Sequence, residues 1–138
     1  MTHYNAHLTE RFLMLYYERG AVNDAIGRAQ MKQGLFEALD KLGPRNKVLV
    51  LPPDFTRFHS QAGALTQFVW EYYGDRLAAV LPALGTHSPM TPRQIREMFG
   101  EMPLDLFKPH DWRNDVVTLG TVPPSYVSEV TEGKLDFD

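Results

Sequence analysis

Two aliphatic runs, each closed by residues that stop a strand, set the strongest limit on how this chain can fold. Lys47-Val48-Leu49-Val50-Leu51 is apolar from Val48 onward and is followed at once by Pro52-Pro53. Continuous rather than alternating apolarity points to a strand buried on both faces, as in a parallel sheet. Proline cannot donate to the ladder, so the strand must end there. A second run, Leu77-Ala78-Ala79-Val80-Leu81, reads as the next strand. Between them residues 61–73 carry Leu65, Phe68, Val69 and Tyr72 at helical spacing, and Gly74-Asp75 makes the turn. Strand, helix, strand in this order implies a crossover and a parallel pair. Asp115-Val116-Val117-Thr118-Leu119 is expected to add a short third strand. The expected fold class is therefore α/β, a mostly parallel sheet with flanking helices, doubly wound but short in strands.

Other elements follow from local signals. A helix is expected from about Val22 to Leu42, with Gly27 and Gly34 weakening it and Gly43-Pro44 closing it. Thr91, Pro92 and Gln94 spell a capping box with proline in the first helical position. Ile95, Met98 and Phe99 give that helix its apolar side, and Gly100 stops it. Residues 8–19 hold an apolar, aromatic centre too short for periodicity to separate helix from strand. Its aromatics, Phe12, Tyr16 and Tyr17, suit either an interface or a core. Residues 101–114 read as proline-containing loop, and the end of the chain is polar. The whole, 1–138, is read as one domain, with 1–45 a variable helical or extended region inside it.

Composition removes several function classes. With no cysteine, disulfides, thiolate metal sites and cysteine nucleophiles are excluded. A formal charge of −3 argues against a nucleic-acid partner, which needs a basic face. No signal peptide and no membrane-length apolar run stands out, so the expected location is cytoplasmic, with no membrane partner. There is no Walker loop, dinucleotide fingerprint, zinc-protease motif or nucleophile elbow.

In parallel sheets ligands bind beyond the carboxyl ends of the strands. That rule selects two loops. The first, Pro53-Asp54-Phe55-Thr56-Arg57-Phe58-His59-Ser60, holds a carboxylate, a hydroxyl, a guanidinium and an imidazole. Arg57 suits a carboxylate or phosphate because its planar fork can bond two oxygens at once. Asp54 can accept from a ligand hydroxyl; the plainer alternative is that it caps the turn and pairs with Arg57. The second loop, Leu84-Gly85-Thr86-His87-Ser88-Pro89-Met90-Thr91, puts His87 just before a helix N-terminus, which favours anions. Gly85 lets backbone approach a ligand closely. His87 there can work as a general acid or base, or be a half-buried histidine bonded to backbone. His110, beside Asp111 and Trp112, is a third candidate, read as structural in preference to catalytic. An aspartyl phosphatase would want a second acid where Thr56 stands.

Taken together the two loops resemble the nickel-dependent lactate racemase family. Asp54-Phe55-Thr56-Arg57 is similar to its Asp-x-Thr-Arg motif, and Ala83-Leu84-Gly85-Thr86-His87-Ser88-Pro89-Met90-Thr91 to its Ala-Leu-Gly-Thr-His-x-Pro-Met-Thr motif. The resemblance spans roughly residues 46–120. It implies the N-terminal domain of a 2-hydroxy acid racemase or epimerase that uses a nickel-pincer nucleotide as a transient hydride acceptor. On that resemblance His87 is the acid/base histidine, and Arg57 holds the substrate or cofactor anion. Asp54, Thr56, Gly85 and Thr86 then belong to the substrate- and cofactor-binding cleft, and no metal ligand is assigned to this chain. A C-terminal domain or partner chain is expected to supply the second acid/base histidine, the cofactor-bonding lysine and the nickel-ligating histidine. This chain alone is then expected to be inactive. Two departures stand out: Phe58-His59-Ser60 replaces the usual proline continuation, and Ser88 stands where arginine is common. The competing expectation is a noncatalytic α/β module that binds an anionic ligand or a partner protein.

Overall fold

The computed structural model describes residues 15–137. Helix α1 runs Arg28–Leu42, strand β1 Val48–Val50, a 3-10 turn Phe55–Ser60, helix α2 Ala62–Tyr73 and strand β2 Leu77–Val80. Helix α3 follows at Pro92–Phe99 and a short helix α4 at Pro124–Val130. β1 and β2 are parallel, with Val48 opposite Leu77, Leu49 opposite Ala79 and Val50 opposite Val80. The fold is α/β, built on the strand–helix–strand unit β1-α2-β2.

The prolines end β1 but not its pairing. A proline keeps its carbonyl, so Pro52 accepts from the Ala83 N–H at 2.8 Å and Pro53 bridges Ala83 in parallel. This carries the two chains side by side into the loops that hold Asp54 and His87.

The expected third strand is corrected. Residues 116–119 form no strand, and Val116, Val117 and Leu119 are exposed. β-branched composition favours a strand only where a neighbour offers a pleated surface to pack on. The place beside β2 is taken instead by Phe107 and Lys108: Phe107 bridges Val80 in parallel, and the Lys108 N–H donates to the Val80 carbonyl at 2.9 Å. A second correction concerns β1, which is not buried on both faces among the described residues. Val48 and Val50 are half-buried while Leu49 and Leu51 are 55% and 61% exposed.

α1 begins at Arg28, not Val22. Gly27 takes the N-cap position in extended backbone, and its N–H donates to the Gln30 side chain at 3.0 Å. Gly34, a poor helix former, lies under the Tyr17 ring, where a Cβ would come within 2.5 Å of ring carbons. Tyr17 is therefore packed against α1. The segment expected as helix or strand over 8–19 lies mostly outside the described residues, Phe12 included; from residue 15 to 21 it has neither form. α4 was not expected; Pro124 in its first turn starts it.

The core lies between β2, α2 and α3. Tyr73, Leu77, Val80, Met98, Phe99 and Met102 form its buried centre, with Val48, Val50 and Trp70 packed around it. α3 is built as its sequence dictates: the Thr91 hydroxyl accepts from the Gln94 N–H at 3.3 Å, and the Gln94 side chain accepts from the Thr91 N–H at 2.9 Å. This fixes the start of α3 immediately after the His87 loop. No helix among the described residues is long and apolar enough to cross a membrane.

Candidate functional site

Asp54 follows the paired prolines and is buried. Its Oδ1 accepts from the Thr56 N–H at 3.1 Å and from the Thr56 hydroxyl at 2.5 Å. Those bonds cap the 3-10 turn. Its other oxygen, Oδ2, lies 2.7 Å from His87 Nδ1. Burial pushes the Asp54 carboxyl up, but the hydrogen bonds from Thr56 and His87 and the His87 charge together outweigh it. The carboxyl is held below its ordinary 3.8. Asp54 is thus an ionised, acceptor-only group near neutral pH, and the hydrogen in the 2.7 Å contact belongs to His87 Nδ1. The lone pair of neutral His87 is then on Nε2, the arrangement of an oriented general base.

Asp54 has a lower pKa folded than unfolded, so its contribution to stability is fully present above 3.8 and is lost as pH falls through the lower folded value. Acid unfolding should therefore steepen below pH 3.8, and an Asp54→Ala variant should lack that component. Denaturant melts of both proteins between about pH 2 and 5 check this; parallel curves would contradict it.

His87 itself is set by a tight turn. Its N–H donates to the Leu84 carbonyl at 3.0 Å, and Gly85 in that turn has φ +57°. Nothing lies within 4 Å of where a Gly85 Cβ would sit, so the glycine is needed for backbone conformation and not for space. Gly85→Ala should cost about 1 kcal/mol and loosen the His87–Asp54 bond. Unchanged stability together with an unchanged His87 imidazole NMR signal would refute that reading.

His110 comes to the same place from the strip that pairs with β2. Its Nδ1 accepts from the Leu84 N–H at 3.3 Å. In the neutral ring the proton is then on Nε2, the opposite tautomer to His87. The two histidines line one open cleft of about 340 Å³, together with Thr86, Ser88, Trp112 and Arg113. A lone-pair Nε2 and a protonated Nε2 can take a proton from one group and give one to another. A smaller, mainly apolar cavity of about 120 Å³ adjoins it, sharing Pro89, Pro109 and His110.

Several sequence-level expectations change at this point. Asp54 caps its turn as the plainer alternative had it, but its long-range side-chain partner is His87 and not Arg57. Thr56 binds the Asp54 carboxylate. Arg57 reaches only the Thr56 hydroxyl, at 3.4 Å, and is not among the residues lining the cleft. Asp111 does not bond His110; it caps its own turn through the Arg113 and Asn114 N–H groups. Sequence reasoning missed Arg113 and gave His110 and Trp112 a structural reading. The rule that selected the first two loops would have selected 109–113 as well, had Phe107 been taken as the strand.

No family model and no curated protein matches the chain. A crystal structure of a Thermotoga maritima protein, solved as a structural-genomics target, superimposes with a TM-score of 0.59 at 32% identity. The match covers 87% of this chain and 30% of the Thermotoga chain, so this chain spans under a third of that protein's length.

Proposed function

We propose that this chain supplies the proton-handling part of a 2-hydroxy acid racemase or epimerase site of the nickel-dependent lactate racemase kind. The observation that carries the proposal is the Asp54–His87 bond of 2.7 Å, made between two loops that each resemble a motif of that family. A base on the substrate hydroxyl eases loss of hydride from the carbinol carbon, because negative charge then builds on the oxygen as the C–H bond breaks. His87, with its proton on Nδ1 toward Asp54, takes the hydroxyl proton at Nε2 and returns it when the carbinol is rebuilt. His110, protonated on Nε2, donates to the same oxygen or to the carboxylate.

The hydride acceptor is a separate matter. Among the described residues no three histidine, cysteine, aspartate or glutamate side chains come together as a metal-binding set, so these residues do not fit a nickel ion by themselves. A nickel-pincer nucleotide would be held by a further domain or partner chain. The chemistry assigned to this chain is confined to the proton and the carboxylate. A cytoplasmic location belongs to the same proposal.

The second reading is a noncatalytic module that docks onto another protein. The exposure of Leu49, Leu51, Val117 and Leu119 favours it. The deciding experiment takes the protein from its own source, determines its intact mass and nickel content, and follows interconversion of L- and D-lactate by chiral chromatography. Bound nickel with interconversion supports the racemase. Absence of both in the intact protein overturns it in favour of the docking module.

A further inference from the structure

We infer that Arg113, laid over the Trp112 ring, is a carboxylate anchor of the cleft that His87 and His110 line. The inference deepens the proposed racemase reading and rests on it for the identity of the ligand as a 2-hydroxy acid. Its own basis is geometric. The Arg113 guanidinium carbon stands 4.0 Å from the centre of the Trp112 ring. Stacking of that kind leaves the edges of the guanidinium, where all its N–H groups lie, open to a ligand, and it restrains a long side chain before binding. Less rotamer entropy is then lost when two oxygens of a carboxylate are bonded in parallel.

Arg113 is also uncommitted. It forms no ion pair among the described residues, where the ion pairs are Arg19–Asp24, Lys32–Glu71 and Lys134–Glu132. The acid nearest in sequence, Asp111, shares the cleft lining; its carboxyl is held low first by hydrogen bonds from Asn114, then by the Arg113 N–H, and least by the Arg113 charge. Its Oδ1 accepts from the Arg113 and Asn114 N–H groups at 3.2 and 3.1 Å, and its Oδ2 from the Asn114 side chain at 2.8 Å. Asp111 therefore fixes the turn that presents Arg113. The other acid at the site, Asp54, is buried and spent on Thr56 and His87. The cleft thus holds one guanidinium whose fork is free, and two histidines whose ring nitrogens differ in protonation. A molecule carrying a carboxylate next to a hydroxyl matches that set: the carboxylate on Arg113, the hydroxyl on a histidine Nε2.

The test uses the full chain and two probes, sodium L-lactate and sodium propionate, the second lacking the hydroxyl. Histidine ring signals in ¹H–¹⁵N NMR spectra report binding. Lactate should shift the His87 and His110 signals and bind more tightly than propionate. Arg113→Gln should weaken lactate binding about tenfold or more, since a charge-assisted, two-oxygen contact is lost. Arg113→Lys, which keeps the charge but not the fork, should recover only part of it. If lactate still shifts both histidines with unaltered affinity in Arg113→Gln, the anchor is wrong while the racemase reading stands. If propionate binds as well as lactate and both are lost in Arg113→Gln, the anchor stands and the 2-hydroxy acid reading fails. If the unaltered chain binds neither probe, both are overturned.

Discussion

If this chain supplies the proposed racemase base, Asp54→Asn in the intact protein should lower lactate interconversion by about 10⁴-fold while leaving the protein folded, the magnitude seen when an orienting carboxylate behind a catalytic histidine becomes an amide. The reason is the tautomer. Asp54 offers two acceptor oxygens, one for the two Thr56 donors and one for His87 Nδ1. Asparagine has one acceptor oxygen and one NH₂. If the oxygen stays on Thr56, which supplies two hydrogen bonds, the NH₂ faces His87 and requires Nδ1 to accept. The ring proton then moves to Nε2, and the nitrogen meant to take the hydroxyl proton no longer has a lone pair. Loss of the carboxylate charge also removes the stabilisation of a protonated ring. The ¹⁵N shifts of His87 provide a readout independent of turnover: they should report Nδ1–H in the unaltered protein and Nε2–H in the variant. The same tautomer in both, with undiminished turnover, would remove His87 from the role of base.

That pair marks the boundary of what the chain makes legible. β1, α2, β2 and α3 are readable because each is announced locally: Pro52-Pro53 after an aliphatic run, Gly74 after a helical one, Thr91-Pro92 with Gln94 at a helix start. Asp54 and His87 are each readable as polar residues at strand ends, but they lie 33 positions apart. Their direct bond depends on pairing that continues past the prolines through Pro52 and Pro53 to Ala83. Proline punctuation reads as a stop, and the surviving carbonyl carries no signal of its own.

The error at the third strand has the same origin and a larger consequence. Val116-Val117-Thr118-Leu119 has the stronger strand composition, yet the position beside β2 goes to the segment whose side chains pack on the core next to Val80. Phe107 does so because its ring packs against Phe99, with centroids 5.0 Å apart. A single bridge set between Pro103 and Pro109 resembles loop in any local reading. Misplacing that strand hid the third strand-end loop, so His110 and Trp112 read as structural and Arg113 carried no signal. Arg57 is marked by a motif, whereas Arg113 has no local mark and enters the cleft only through the fold.

Gly63→Ala should destabilise the protein by about 3 kcal/mol, an unusually high cost for a single methyl in a helix. On helix propensity alone the substitution would be stabilising by about 1 kcal/mol. Space reverses the sign. A Cβ on Gly63 would stand 2.0 Å from the carbonyl oxygen of Met98 and 3.0 Å from its carbonyl carbon. Both are backbone atoms in the last turn of α3, so no rotamer change relieves the clash. α2 and α3 must move apart by more than an ångström, and the residues beside that contact, Met98 and Phe99, are 5% and 0% exposed. Separation therefore opens the core between β2 and the two helices and forfeits close packing. Because α3 starts directly after the His87 loop, its displacement should also strain the His87–Asp54 bond, which the His87 ring signals would report. Denaturant unfolding gives the first quantity and thermal melting a fall of about 10 °C. A Gly63→Ala protein as stable as the original would mean that α2 and α3 do not approach at this point, and the placement of the His87 loop against Asp54 would lose its support.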